Sequence, residues 1–397
     1  MKNPCIYVLS ILMMNIVLAD MEPDANAEPF PVAELVSGNL EFTMNLLPHL
    51  GEGNGFFSPY SIASALSMTY GGARGNTAAE MADALRLPHE AAENHGAFAV
   101  LRERLLAAAR DSGQRLSIAN GLCLVGGEVA DEFKALLTTT YAAEIFPGDL
   151  EKINAWVKER TEGRIESILD ALDPNTVAVL LNAIYFKGQW ETAFEEKATR
   201  PAPFHVGDDE TTEVNLMHRR GQFRMLEEGA FQAVSLPYRG GAFSMEILLP
   251  KQRGTLAEVE AELTPGKLQS LLKRLDASRP REINLWLPRF RMETEYDLVT
   301  PMKALGMRKA FDADQADFSG MGWPPGDLWI GQIRHKAFVE VNEEGTEAAA
   351  ATAVVMVTRA MPMEPPTFRA DHPFLFMIRE AKTGAVLFVG RVSNPEE

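Results

Sequence analysis

The 397-residue chain reads as one α+β domain with antiparallel or mixed sheets. Three observations predict this. Helical periodicity dominates the first part of the chain, up to about Leu169, and strand-like text dominates from Val177 onward. No proline- or serine-rich linker and no fixed-period repeat divides the two parts. The composition, 46% hydrophobic and 23% charged, is that of a globular protein with a sizeable core.

The elements follow in order. "VAELVSGNLEFTMNLLPHL" has apolar residues at helical spacing. Ser58 caps the next helix, Pro59 takes its first position, and Gly71-Gly72 stops it. "AFAVLRERLLAAAR" is amphipathic, "LSIANGLCLV" is a strand, and "EFKALLTTTY" and "INAWVKERTEGRIESIL" read as helices. "TVAVLLNAIYFKGQW" is a near-continuous apolar run, as expected of a strand buried on both faces. "FHV", "TEVNLMHRRGQFRMLE", "FQAVSLPYRG", "FSMEILLP" and "EINLWLPRFRMETEYDL" are strands, with short helices at "LAEVEAEL" and "KLQSLLKRL". "LWIGQIRHKAFVEVNEEG" reads as one long strand. "HPFLFMIREAKTGAVLFVGRVSN" is a hairpin turning at Lys382-Thr383-Gly384.

At the N-terminus, Lys2 precedes an apolar run from Ile6 to Leu18, and Val17-Leu18-Ala19 fits a cleavage site. This predicts a signal peptide over 1–19, a polar spacer over 20–28 and a single domain over 29–397. The expected location is secreted or extracellular, with the periplasm or cell surface as alternatives, and no membrane association in the mature form. The formal charge of −17 makes nucleic acid, anionic membranes and heparin-like polymers poor partners, so activation by a polyanion is not expected. Cys5 falls in the signal segment. Cys123 is then alone, in an alternating apolar run, and reads as a packed thiol.

No enzyme motif appears. There is no G-x-S-x-G, no H-E-x-x-H and no Walker loop, and the seven histidines are scattered. No catalytic residue, cofactor or metal is expected, and the chain reads as a monomer.

One segment fits neither element class. "NEEGTEAAAATAVVMVTRAMPMEPP", residues 342–366, joins an acidic, alanine-rich helix-like half to a β-branched strand-like half. At "VEVNEEGTEAAAATA" the sequence resembles the serpins, the large conformational protease inhibitors. "FFSPYSIASALSMTYGGARGNTAAEM", "NGLCLV", "INAWVKERTEGRI", "LLNAIYFKGQWETAF", "LWLPRFRMETEYDL", "ALGMRKAFDADQADFSGM" and "DHPFLFMIREAKTGAVLFVGRVSNP" carry the resemblance over about residues 30–395, in family order.

The resemblance implies three β-sheets, eight or nine helices and an exposed reactive loop at 343–366. It also implies the established serpin mechanism, in which a protease cuts the loop, forms an acyl-enzyme, and is trapped when the loop inserts into the central sheet. The implied hinge is Glu343, Glu344, Gly345, Thr346, Glu347, Ala348, Ala349, Ala350 and Ala351. Gly345 would be the swivel, and Glu343 and Glu344 are expected to be solvated. Family spacing, counting Gly345 as the first of fifteen residues, puts the cut between Arg359 and Ala360. An arginine there suits trypsin-like serine proteases, held as a covalent acyl complex. The alternatives are an elastase-like target cutting at Ala360-Met361, or a non-inhibitory carrier or chaperone cleaved as a substrate. The resemblance further implies a shutter at Ser58, Ser61, Asn182 and His335 and a breach at Trp190 and Lys187.

The residues themselves suit a strand. Thr346, Ala348, Ala350, Thr352, Val354 and Met356 would share one uncharged face, and Glu347 lies on the other. The fourteen residues from Thr346 to Arg359 contain no proline and extend to about 46 Å.

Overall fold

A computed structural model describes residues 30–88, 90–207, 210–346 and 364–396. The helices are α1 (Val32–Leu46), α2 (Pro59–Tyr70), α3 (Gly75–Leu85), α4 (Ala91–Asp111), α5 (Asp131–Tyr141), α6 (Leu150–Arg160), α7 (Leu256–Glu262), α8 (Pro265–Ala277) and α9 (Val299–Ala304). The strands are β1 (Gly55–Phe57), β2 (Arg115–Leu124), β3 (Glu144–Pro147), β4 (Ala178–Gln189), β5 (Arg200–His205), β6 (Thr211–Glu228), β7 (Phe231–Pro237), β8 (Phe243–Pro250), β9 (Arg281–Pro288), β10 (Phe290–Asp297), β11 (Arg334–Val341), β12 (Gly345–Thr346), β13 (Thr367–Arg369), β14 (Phe374–Glu380) and β15 (Val386–Val392).

The strands form a six-stranded sheet, β10-β11-β12-β4-β2-β3, and a nine-stranded network, β1-β15-β14-β8-β7-β6-β9-β13 with β5 on β6. The network is two sheets joined by one strand. The first part of β6 pairs with β5 and β9, and its last five residues, Arg224–Glu228, pair with β7. With the six-stranded sheet this gives a three-sheet α+β architecture.

Sequence rules explain the start of two helices near the seam. Ser58 caps α2 by accepting the Ser61 amide at 3.0 Å, with Pro59 at the first helical position. Asp149 caps α6 through the Lys152 amide at 3.1 Å. The six-stranded sheet lies between two cores. α2 packs against β4 from the side of the main core, and α6 packs against β4 and β2 from the other. Cys123 sits in this second core, fully buried, and burial pushes its thiol pKa up.

Three readings of the chain are corrected. The helix over "INAWVKERTEGRIESIL" stops at Arg160, because Glu162 and Gly163 take φ values of 54° and 79°. The long strand over "LWIGQIRHKAFVEVNEEG" is only β11, since residues 328–333 are not in a strand. β4 is not buried on both faces: its burial alternates along much of its length, and the first three residues are half-buried. The last two corrections share a cause, developed next: among the described residues, β4 and β11 have no partner between their lower halves.

Candidate functional site

The site is the seam between β4 and β11. Only β12 bridges it: Thr346 pairs with Val341 of β11 on one side and Gly188 of β4 on the other, and Gly345 pairs with Gln189. The segment expected to be the hinge therefore begins as strand, held between two others. Glycine at 345 is required by close approach: a Cβ there would lie 2.0 Å from the Gly188 carbonyl oxygen. Thr346 is buried, its hydroxyl 2.7 Å from the Tyr238 hydroxyl. Glu347, Ala348, Ala349, Ala350, Ala351, Arg359 and Ala360 lie outside the described residues.

The upper end of the seam is tied down. The buried Trp190 stacks on Tyr238 at 4.6 Å, donates its indole N–H to the Asn342 carbonyl at 3.0 Å, and donates its amide to the Glu344 carbonyl at 2.9 Å. Lys187, on β4, is half-buried. The expectation for Glu343 is corrected: it is not solvated but only 3% exposed. Arg289 Nε donates to both its carboxylate oxygens at 2.8 and 2.7 Å, and the Thr199 hydroxyl donates as well. Burial alone would raise the Glu343 pKa, but these hydrogen bonds outweigh it and hold the carboxyl below its usual range. Glu344 is half-buried. The local sequence shows why solvation was expected and fails: two adjacent glutamates look exposed, and only the tertiary position of Arg289 reveals the pair.

Midway down, polar side chains connect the helices behind the seam to the strands. The Ser58 amide donates to His335 Nε2 at 3.0 Å. Ser61 donates to Asn182, Asn182 donates to Asn120 at 2.6 Å, and Asn120 donates to the Tyr141 carbonyl at 2.8 Å. The Tyr141 hydroxyl bonds Ser67 at 2.9 Å and His95 Nδ1 at 2.7 Å. The structure thus brings Ser61 and Asn182 together and sets Ser58 on His335. Burial lowers the pKa of both His335 and His95 to about 4. Sequence reasoning missed Asn120, Tyr141, Ser67 and His95. The available signal was Asn120, a polar residue inside the apolar run "IANGLCLV".

Below this level the strands part. A cavity of about 360 Å³ opens between α2, the lower half of β4 and residues 327–335. Its walls include Ile62, Leu66, Leu180 and Ile333, with Asn182 and His335 at one end. Among the described residues the arrangement holds no nucleophile–base pair. Chemically it is a strand-sized opening closed at the top by two residues of β12.

The comparisons with known proteins agree with this geometry. Residues 37–395 match the family model for serpin (serine protease inhibitor). The chain is a serpin. It is 42% identical to Serpin B8 of Bos taurus over 380 residues, covering 91% of this chain and 99% of that one. It is 40% identical to leukocyte elastase inhibitor of Sus scrofa, covering 91% and 100%. Among solved structures, human thyroxine-binding globulin complexed with thyroxine superposes with a TM-score of 0.81 at 28% identity, over 92% of this chain and 100% of that one. As a serpin, it belongs to a family of protease inhibitors that are cut as suicide substrates and are not catalysts. The expected secretion is corrected here. The similarity to Serpin B8 and leukocyte elastase inhibitor points away from export.

Proposed function

We propose that this serpin is a suicide-substrate inhibitor of trypsin-like serine proteases. The protease cuts between Arg359 and Ala360, and residues 346–358 then enter the seam and trap the acyl-enzyme. The observation that carries the reading is the register of β12. Pairing of Thr346 with Val341 and Gly188 supports the reading, because it sets the register that an inserting loop would continue. Continued antiparallel in the same register, the loop would bring Ala348 opposite Phe186 and Val339, and Ala350 opposite Ile184 and Ala337. Thr352 would then fall between Asn182 and His335, and Val354 between Leu180 and Ile333. Those are the residues that line the cavity. Alternation keeps Thr352 on the face of Thr346, which points to Tyr238 and the core.

In this reading Ser58, Ser61, Asn182 and His335 are the shutter that the new strand must pass, and Trp190, Lys187 and the Glu343–Arg289 pair hold the top in place. The alanines from 348 to 351 lead the way with little side-chain entropy to lose. Arg359 is the only basic residue between Lys336 and Arg369, which supports it as the residue read by an acidic specificity pocket.

The test is incubation with trypsin, followed by denaturing electrophoresis. A complex at the summed mass that survives SDS is expected, and Arg359→Ala should abolish it. Thr346→Arg, which forces a charge into the site against Tyr238, should leave cleavage but no complex. Cleavage of the wild type without complex would favour the second reading, a carrier, which the fold of thyroxine-binding globulin brings forward.

A further inference from the structure

The outer cover of the six-stranded sheet is fastened to one side of the seam by apolar packing and to the other by an arginine. α6 lies on β4 and β2, where Ile153, Trp156, Val157, Ile165 and Ile168 bury against Leu181 in the second core. The turn that ends α6 is fixed from several sides. Glu162 and Gly163 take φ values of 54° and 79°, and the Glu162 carboxylate is ion-paired with Arg115 of β2 at 2.5 Å. The buried Thr161 hydroxyl donates to the Val157 carbonyl at 2.9 Å and accepts the Ile165 amide at 3.1 Å. Arg164 sits between these anchors. Its guanidinium lies over the ring of Phe338, on β11, 5.2 Å from the centroid.

A second arginine supplies the contrast. Arg291 of β10 lies over the same half-buried ring, also at 5.2 Å. β10 and β11 are paired along their whole length, so the Arg291 contact stays on one side of the seam. The Arg164 contact crosses it. A strand entering between β4 and β11 must part them by one strand spacing, about 4.8 Å. A cation moved beyond about 6 Å from a ring centroid gives up most of the attraction. The cover cannot follow both strands. A buried apolar cluster holds it to β4 and β2, and that outweighs one cation on β11, so the Arg164 contact is the one that gives way.

We propose that Arg164 is a clasp across the seam, a positioning residue that ties β11 to the cover in the intact molecule and lets go when a strand enters. It lengthens the life of the intact state and slows trapping by the same factor. The proposal rests on the inhibitory reading above.

The test compares Arg164→Gln with Arg291→Gln in the full chain, since the two remove the same kind of contact from the same ring at the same distance. Two rates are measured: spontaneous loss of trypsin-inhibiting activity on warming, and loop insertion after attack by trypsin, followed by stopped-flow tryptophan fluorescence. Arg164→Gln should raise both by about threefold to tenfold. Arg291→Gln should change neither by more than about twofold. Phe338→Leu should behave like Arg164→Gln, and Arg164→Lys, which keeps a cation, should stay near the wild type. Circular dichroism checks that each variant is folded, and Phe338→Leu carries the comparison if Arg164→Gln is not. Equal effects of Arg164→Gln and Arg291→Gln overturn the proposal, and so do rates that no variant changes. Amide hydrogen exchange gives a readout that needs no protease: Arg164→Gln should speed exchange in β4 and β11, and Arg291→Gln should not. A wild type that forms no SDS-stable complex defeats the inhibitory reading, and the exchange comparison still decides the clasp.

Discussion

The strands β8, β14 and β15 and the strands β4 and β11 are built on opposite plans. In the first group every residue is buried, on both faces of each strand. Phe376 sits among Phe56, Phe290 and the backbone of Gly390, where an added Cβ would come within 2.3 Å of the Phe376 ring. In the second group burial alternates along β11 and through the upper part of β4, β12 alone lies between the two strands among the described residues, and polar groups lie between them. The difference separates a permanent core from a part that can be rebuilt. Packing at interior density resists any change of volume. A seam closed by a few hydrogen bonds and a two-residue strand does not. In the proposed reading, the six-stranded sheet opens without disturbing the sheet at β8–β14–β15.

The largest expected effect comes from cutting the loop between Thr346 and Arg359. If the seam is the unfinished part, completing it should raise the melting temperature by on the order of tens of degrees, because the intact state is held by a barrier and is not the free-energy minimum. Amide hydrogen exchange should slow in β4 and β11 and stay unchanged in β8, β14 and β15. An unaltered melt after complete cleavage would erase the distinction between the two regions.

A smaller effect sharpens the same contrast. Phe376→Ala should cost about 3–5 kcal/mol, and it should cost the same in intact and cleaved protein, because its surroundings do not change. Asn182→Ala removes a buried hydrogen-bond partner worth about 1–3 kcal/mol, and its effect should differ between the two forms. Denaturant titrations of both forms measure this. Equal behaviour of the two variants would mean that the seam is ordinary core.

The sequence made the permanent core legible and the moving part only half so. β8, β14 and β15 are continuous apolar runs bounded by turns, and such runs have few alternatives. α2 was legible from Ser58 and Pro59. β4 and residues 328–333 misled because they are apolar enough for a closed sheet, and a single sequence does not say that their partner strand is missing. The hinge composition marked Gly345 and Thr346, but Glu343 was misjudged because its partner, Arg289, is fifty-four residues away. The Asn120–Tyr141–His95 branch was hidden for the same reason: each polar residue sits in its own element, and only packing joins them. The N-terminal run misled differently. Apolar length and small residues satisfy an export pattern locally, while the similarity to Serpin B8 runs through the whole remaining chain.

The smallest effect tests both regions through protons. His335 lies on β11 opposite Tyr296 of β10, with the Ser58 amide on its Nε2. His95 lies in α4 between Tyr70 and Tyr141, away from the seam. Burial lowers each pKa to about 4, whereas an exposed imidazole titrates near 6.5. Folding therefore favours the neutral ring. Between about pH 6.5 and 4 the unfolded chain binds more protons than the folded one, so stability is full above that window, falls as the pH drops through it, and levels off below. Each histidine contributes a loss on the order of 3 kcal/mol across the window. His335→Gln keeps an acceptor for Ser58 and removes the charge, so it should take away about half of the acid sensitivity. Because His335 faces the seam, the same change should also slow acid-driven opening, followed as loss of inhibitory activity over time at pH 5. His95→Gln should flatten the stability profile to a similar degree while leaving the rate of opening as it was. Equal effects of the two variants on that rate would show that the protonation acting on the seam is not local to it.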